Sequence, residues 1–171
     1  LNLPDRNILE EIIIPAFDNG NTCFVGIDKH TDHYRNLFKK QVQILEKEEG
    51  RKGEYVVGDV RQIHRIFPNK FQCIIANGLA SYGLNDEFSM QEAFESIHEA
   101  LEPKGVFVWG WSDSDDLRVI DPVFVKHQFK AYLFPLLNTW RYSCLRNHSG
   151  TWDWGMDKII KNNHTFDFYT K

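Results

Sequence analysis

The chain has 171 residues, 42% of them hydrophobic and 26% charged, which suits one domain of ordinary globular composition with a sizeable core. A net charge of −4 argues against nucleic acid as a partner, because affinity for phosphate backbones rests on Lys and Arg patches. No apolar run reaches the length of a membrane span, and no secretory signal is visible in a chain that opens at Leu1 rather than Met, so the expectation is a cytoplasmic protein with no membrane partner.

Residues 5–14 carry Ile8, Leu9, Ile12 and Ile13 at helical spacing, and Pro15 is expected to end that helix. A turn, "FDNGN", leads to an apolar strand over 22–27. A short helix over 32–40 follows, N-capped by Thr31 or Asp32, with Tyr34, Leu37 and Phe38 on one face. Residues 41–45 ("QVQIL") and 54–59 ("EYVVGD") read as strands around the charged turn 46–53. Residues 60–67 read as a helix stopped by Pro68. "FQCIIAN" (71–77) is a strand, followed by a long loop. Ser89 and Glu92 have the spacing of a capping box, and Met90, Ala93, Phe94, Ile97, Ala100 and Leu101 recur at helical period behind them. After the turn "EPKG", residues 106–111 ("VFVWGW") are apolar enough for a strand buried on both faces. "SDSDD" is a loop, and 121–134 is expected to be helical up to Pro135. Residues 139–145 and 164–171 alternate as strands and form an antiparallel hairpin at one edge. Cys23, Cys73 and Cys144 each fall within one of these strands. An odd count with wide spacing argues against a disulfide framework or zinc knuckle and reads as buried, reduced thiols.

Strands alternating with helices imply right-handed βαβ units, hence an α/β, Rossmann-like three-layer sandwich with a mostly parallel sheet. It forms a single domain over 1–171. In such sheets ligands bind at the carboxyl ends of the strands. Those ends are Gly26, Ile27 and Asp28; then Glu46; then Gly58, Asp59 and Val60; then Asn77 and Gly78. A glycine after the first strand permits close approach of a ligand. Glu46, at the end of the second, has the position of a carboxylate that accepts from both ribose hydroxyls. Asp59 can accept from an exocyclic amine. Each has a plainer reading: a turn glycine, a solvated glutamate in the run 46–49, and an N-cap aspartate. A pyrophosphate needs further glycines and a helix N-terminus. "GIDKHT" lacks them and offers Asp28, which suits a phosphate-free, cationic cofactor better than a dinucleotide.

The order "CFVGID", "QILE", "EYVVGDV", "FQCIIANGLASYG" and "SIHEALEPKGVFVWGW" resembles the class I S-adenosylmethionine-dependent methyltransferases over roughly residues 5–171. The resemblance implies a seven-stranded sheet with an antiparallel terminal hairpin, S-adenosyl-L-methionine as cofactor and a small-molecule acceptor. It would place Gly26 at the donor's amino-acid tail, Glu46 at the ribose, Asp59 and Val60 at the adenine, and Asn77 and Gly78 beside the sulfonium and substrate. The sequence departs from the family pattern at Phe24, where an acidic residue is usual, and at Asp28, where a second glycine is usual. Two other functions stay open: a non-catalytic binding or scaffold domain of the same fold, and an NAD-linked oxidoreductase.

Methyl transfer rests on positioning and desolvation, with a general base for hydroxyl or amine acceptors. Tyr82 and His33 are the candidates for that base. His30 with His33, and Asp113, Asp115 and Asp116, are weighed as metal ligands and set aside as solvated groups, so no metal is expected. The tryptophans of "SGTWDWGMD", Trp152 and Trp154, read either as a lid or partner surface, a homodimer contact included, or as the cover of a small apolar cluster.

Overall fold

The computed structural model describes residues 7–26, 31–46, 55–80, 83–113, 128–147 and 161–171. Helix α1 begins as a π-helical stretch, Ile8–Ile13, and continues as an α-helical turn, Ile14–Phe17. It therefore runs through Pro15 instead of stopping there. The Ile14 N–H reaches the Leu9 carbonyl, five residues back, in the wide π geometry. Such a turn admits a proline that donates nothing and would crowd a tighter helix. Helix α2 is Thr31–Arg35. Helix α3 opens as a 3-10 turn, Val60–Gln62, and continues as Ile63–Ile66.

Helix α4, Glu87–Ala100, starts before the Ser89–Glu92 box. Its cap is Asp86, whose Oδ1 accepts the Ser89 N–H at 2.8 Å, while the Ser89 hydroxyl donates back to the Asp86 carbonyl. A carboxylate at this position also complements the helix dipole, and the serine is the third helical residue rather than the cap.

The strands are β1 (Thr22–Gly26), β2 (Val42–Glu46), β3 (Val56–Val57), β4 (Phe71–Asn77), β5 (Leu101–Asp113), β6 (Lys130–Ala131), β7 (Arg141–Asn147) and β8 (Lys161–Thr170). Among the described residues they form one eight-stranded sheet in the order β3-β2-β1-β4-β5-β8-β6, with β7 also on β8. The eighth strand, against the seven expected, is β6. It pairs with Tyr169 and Thr170 of β8 while β7 pairs with Lys161 to Asp167, so two strands share one edge position. Residues 128–134 are thus not the end of a helix: the Tyr132 N–H donates to the Phe168 carbonyl, and backbone groups engaged in a sheet ladder cannot serve a helix. Residues 121–127 lie outside the described residues. β1 to β5 run parallel, and β8 runs against β5 and β7 alike, so only one strand of the terminal hairpin is reversed. The expected strand over 54–59 is short, pairing only at Val56 and Val57. β5 begins earlier than expected because Leu101 pairs with Phe71 before the chain bulges out over 102–105 and rejoins the ladder at Val106. Lys104 in that bulge has φ 65°.

Alternation along each strand separates two cores. Cys23, Val25, Ile74, Ala76, Phe107 and Trp109 pack under α3 and α4. Phe24, Ile44, Cys73, Ile75, Val108 and Phe168 pack under α1, with Tyr34, Leu37 and Phe38 joining them. Both faces of the sheet are covered, which is why the central strands read as continuous apolar runs. Cys23, Cys73 and Cys144 are buried thiols, none of them in a disulfide, and burial pushes the first two well above the usual thiol range.

One buried charge interrupts the first core. The Asp167 carboxylate, 0% exposed, accepts from Trp111 Nε1 (3.0 Å), Arg141 Nε (2.6 Å), Arg141 Nη2 (2.9 Å) and Tyr169 OH (3.0 Å). The Arg141 guanidinium lies over the Trp140 ring at 4.6 Å. A buried carboxylate is tolerable only when its lone pairs are met in this way. Asp167→Asn is expected to lower stability by roughly 2–3 kcal/mol in urea unfolding, the worth of charge-assisted bonds lost at a buried site. Burial, and then the Asp167 charge, push the Tyr169 phenol above its ordinary value of 10.0. The folded state therefore favours the protonated phenol. Its contribution is complete below the unfolded pKa and is lost as pH rises beyond about 10. Tyr169→Phe is expected to flatten that alkaline fall in a pH series of unfolding midpoints.

Candidate functional site

The chain leaves β1 for β2 and β3 on one side and returns to β4 on the other, so the switch point of the sheet lies between β1 and β4. Gly26, the last residue of β1, pairs in register with Glu46, the last residue of β2. Glu46 is 3% exposed at this strand end, a rare place for a carboxylate. The Gly58 N–H donates to its backbone carbonyl at 2.7 Å, which draws the end of β3 into the same rim.

Gly26 has an immediate structural use. A Cβ there would overlap Thr31 Oγ1 and stand 2.9 Å from its Cγ2. The missing side chain lets buried Thr31, the first residue of α2, pack onto the strand end. Gly58 similarly admits Ile66, whose Cδ1 would stand 2.5 Å from an added Cβ. Asp59 caps α3, accepting the Arg61 N–H at 2.9 Å, and it holds the Arg61 side chain through Nε and Nη2. Arg61 Nη1 in turn reaches Glu92 Oε2 at 3.5 Å. The Asp59 carboxylate raises the Arg61 pKa further above its usual value. Val60 is buried in the core beneath this turn.

Asn77 and Gly78 end β4. Gly78 has φ 77° with open space where a Cβ would be, and its N–H donates to the Gly110 carbonyl at 3.0 Å. Asn77 Oδ1 lies 2.8 Å from Nε2 of His164, whose ring is 1% exposed. The Asn77 side chain crosses Gly110 of β5 to reach β8. A Cβ on Gly110 would overlap Oδ1 and stand 3.0 Å from both Asn77 Cγ and Phe166 Cε1.

The four strand ends thus lie on one rim, in the order expected. His33 is 59% exposed and its Nε2 lies 2.8 Å from Glu10 of α1, joining the two helices. Ile27, Asp28, His30, Tyr82, Asp115, Asp116, Trp152 and Trp154 lie outside the described residues. Among the described residues, no group of three or more His, Cys, Asp or Glu is placed to hold a metal ion.

Sequence reasoning missed His164 and Arg61. The alternation His164, Phe166, Phe168 marked that histidine as inward-facing, but its partner depends on β8 being reversed and inserted beside β5. Arg61 stands two residues after an N-cap aspartate, the spacing at which it can fold back on the carboxylate.

The glycines of this rim differ in what they cost to replace. Gly110→Ala overpacks the Asn77 crossing and is expected to cost about 1–3 kcal/mol. Gly78→Ala meets open space and is expected to cost only the left-handed backbone penalty, about 1–2 kcal/mol. Urea unfolding of the two variants, with the Asn77–His164 contact followed by NMR, checks the pair: only Gly110→Ala should disturb that contact.

No protein-family model matches the sequence, and no curated protein matches it by sequence. Solved structures do match its fold. The N-methyltransferase NodS from Bradyrhizobium japonicum WM9 superposes over 98% of this chain and 94% of that one, with TM-score 0.64 at 12% identity. The same protein in complex with S-adenosyl-L-homocysteine gives TM-score 0.63 at 13% identity, covering 98% and 86%. A TehB-like SAM-dependent methyltransferase from Corynebacterium glutamicum gives TM-score 0.56 at 17% identity, covering 97% and 93%. The chain therefore has the Rossmann-like fold of the class I S-adenosylmethionine-dependent methyltransferases.

Proposed function

We propose that the chain is an S-adenosylmethionine-dependent methyltransferase acting on a small-molecule acceptor. The observation that carries this reading is Glu46: a buried carboxylate at the end of β2, in register with the glycine that ends β1, beside the switch point of the sheet. A carboxylate so placed suits the paired hydroxyls of a ribose, and the surrounding residues fit a nucleoside cofactor. Asp59 and Val60 are assigned to the adenine edge, Gly26 to the amino-acid tail, and Asn77 and Gly78 to the methyl-transfer end. Ile27, Asp28 and Gly58 complete the assigned set. When bound, S-adenosylmethionine supplies an electrophilic methyl on a sulfonium.

The protein's own contribution is to bind, align and exclude water. The buried end of β2 would fix the ribose, and the open backbone turn at Gly78 leaves room for the acceptor above β4. In-line transfer gains mainly from holding nucleophile and methyl in one geometry. The net charge of −4 supports a small-molecule acceptor over a nucleic acid. The assignment of the base stays with Tyr82 or His33 as a proposal.

Thermal-shift titration with S-adenosylhomocysteine, S-adenosylmethionine and NAD tests the reading. A ligand at a hundredfold excess over its Kd stabilises the folded state by about 2.7 kcal/mol, a rise of several degrees for a domain of this size. The expected result is a rise with both sulfur compounds and none with NAD. Glu46→Gln, which leaves one acceptor where there were two oxygens, should weaken binding roughly tenfold or more. No shift with either sulfur compound overturns the proposal. A shift with NAD alone transfers it to the oxidoreductase reading. Binding without methyl transfer to any acceptor favours a scaffold domain.

A further inference from the structure

We propose that Asn77 and His164 form a fixed polar pair that presents the Asn77 amide to the methyl acceptor, with His164 as the positioning residue. The inference rests on the methyltransferase reading above and adds to it the acceptor side of the site. Three observations carry it. His164 is 1% exposed, and its ring packs edge-on against Phe166 at 4.8 Å, so the imidazole has little freedom to move. Its Nε2 meets Asn77 Oδ1 at 2.8 Å. Gly110, lying between them, leaves the space that the amide crosses.

The reversal of β8 is what makes the pair. A parallel strand would bring its carboxyl end to the rim, whereas β8 brings its beginning, and His164 stands opposite Ser112 near the end of β5. The Asn77 amide is planar. With its oxygen bonded to His164 on the β8 side, its nitrogen points away from that histidine at the end of β4, whose other neighbour is β1. Oδ1 is engaged, and among the described residues the amide nitrogen makes no hydrogen bond. In the proposed arrangement it is turned to the switch point between β1 and β4, where the transferred methyl would lie. An amide NH2 there donates to a lone pair, that of a hydroxyl, a carboxylate or an uncharged amine. An ammonium would meet a donor.

Sinefungin makes the inference testable without knowing the acceptor, because it carries an amine where S-adenosylmethionine carries its transferable methyl. The Kd values of sinefungin and S-adenosylhomocysteine are measured by calorimetry on the full chain, with unfolding midpoints as the check on folding. Asn77→Asp places a carboxylate oxygen at the outer end, and it should raise sinefungin affinity relative to S-adenosylhomocysteine by roughly tenfold. Adding His164→Phe should erase most of that gain by freeing the carboxylate. Adding His164→Gln instead, which restores a donor, should recover it. A purely structural histidine would shift both ligands equally and leave the ratio alone.

An unchanged ratio in folded Asn77→Asp, or a full gain that survives His164→Phe, overturns the inference. Failure of the wild-type chain to bind S-adenosylhomocysteine overturns the methyltransferase reading, and this inference with it. If Asn77→Asp does not fold, the Asn77 side-chain amide signal of the 15N-labelled wild-type chain decides. It should differ between the sinefungin and S-adenosylhomocysteine complexes, and coincident signals refute the placement.

Discussion

The Asp167 carboxylate ties three strands together from inside the fold. It sits on β8, receives Trp111 from β5 and Arg141 from β7, and is closed by Tyr169 of its own strand. Those four bonds offset the cost of burying a charge, and they join strands far apart in sequence. With that clamp in place, β8 is held between β5 and β7 in its reversed direction. The rim then receives the start of β8 beside the ends of β4 and β5. The second core, built on Phe166 and Phe168, and the His164 pair at the rim both depend on this insertion.

Polar groups on this chain are placed by backbone economy as much as by ligand chemistry. Gly26 and Gly58 each admit a neighbouring side chain, and Asp59 is an N-cap held by Arg61. These plain uses coexist with the assigned ones, because a strand end that must turn sharply into a helix is also where a ligand meets exposed backbone. Glu46 and Asn77 are different. Both put polar groups at the inner edge of the rim, one buried and one crossing between strands.

Much of the fold was legible in local pattern. β4 matches the expected strand to the residue because "FQCIIAN" is apolar between clear turn signals, and α4 is legible, apart from its start, because Met90 to Leu101 keep helical period. The errors arose where a local rule met a nonlocal one. Proline usually ends a helix, yet Pro15 stands in an α-helical turn that continues a π-helical stretch. Ser89 has the chemistry of a cap, yet Asp86 lies one turn earlier with a stronger one. Residues 128–134 have helical composition, yet the far end of β8 offers them an edge. In the candidate site, the strand ends followed from order along the chain. The Asn77–His164 pair could not, since it spans 87 positions and exists only once the last strand is placed beside β5.

The thiols of Cys23 and Cys73 lie on the two strands that flank the switch point, and they face opposite cores. A thiol reacts as thiolate, and burial holds both in the protonated form. Each sulfur is therefore silent while its own face of the sheet stays covered. The pair gives the centre of the molecule two chemical clocks, one for the α3–α4 layer and one for the α1 layer. The order in which they start reports which layer lifts from the sheet first.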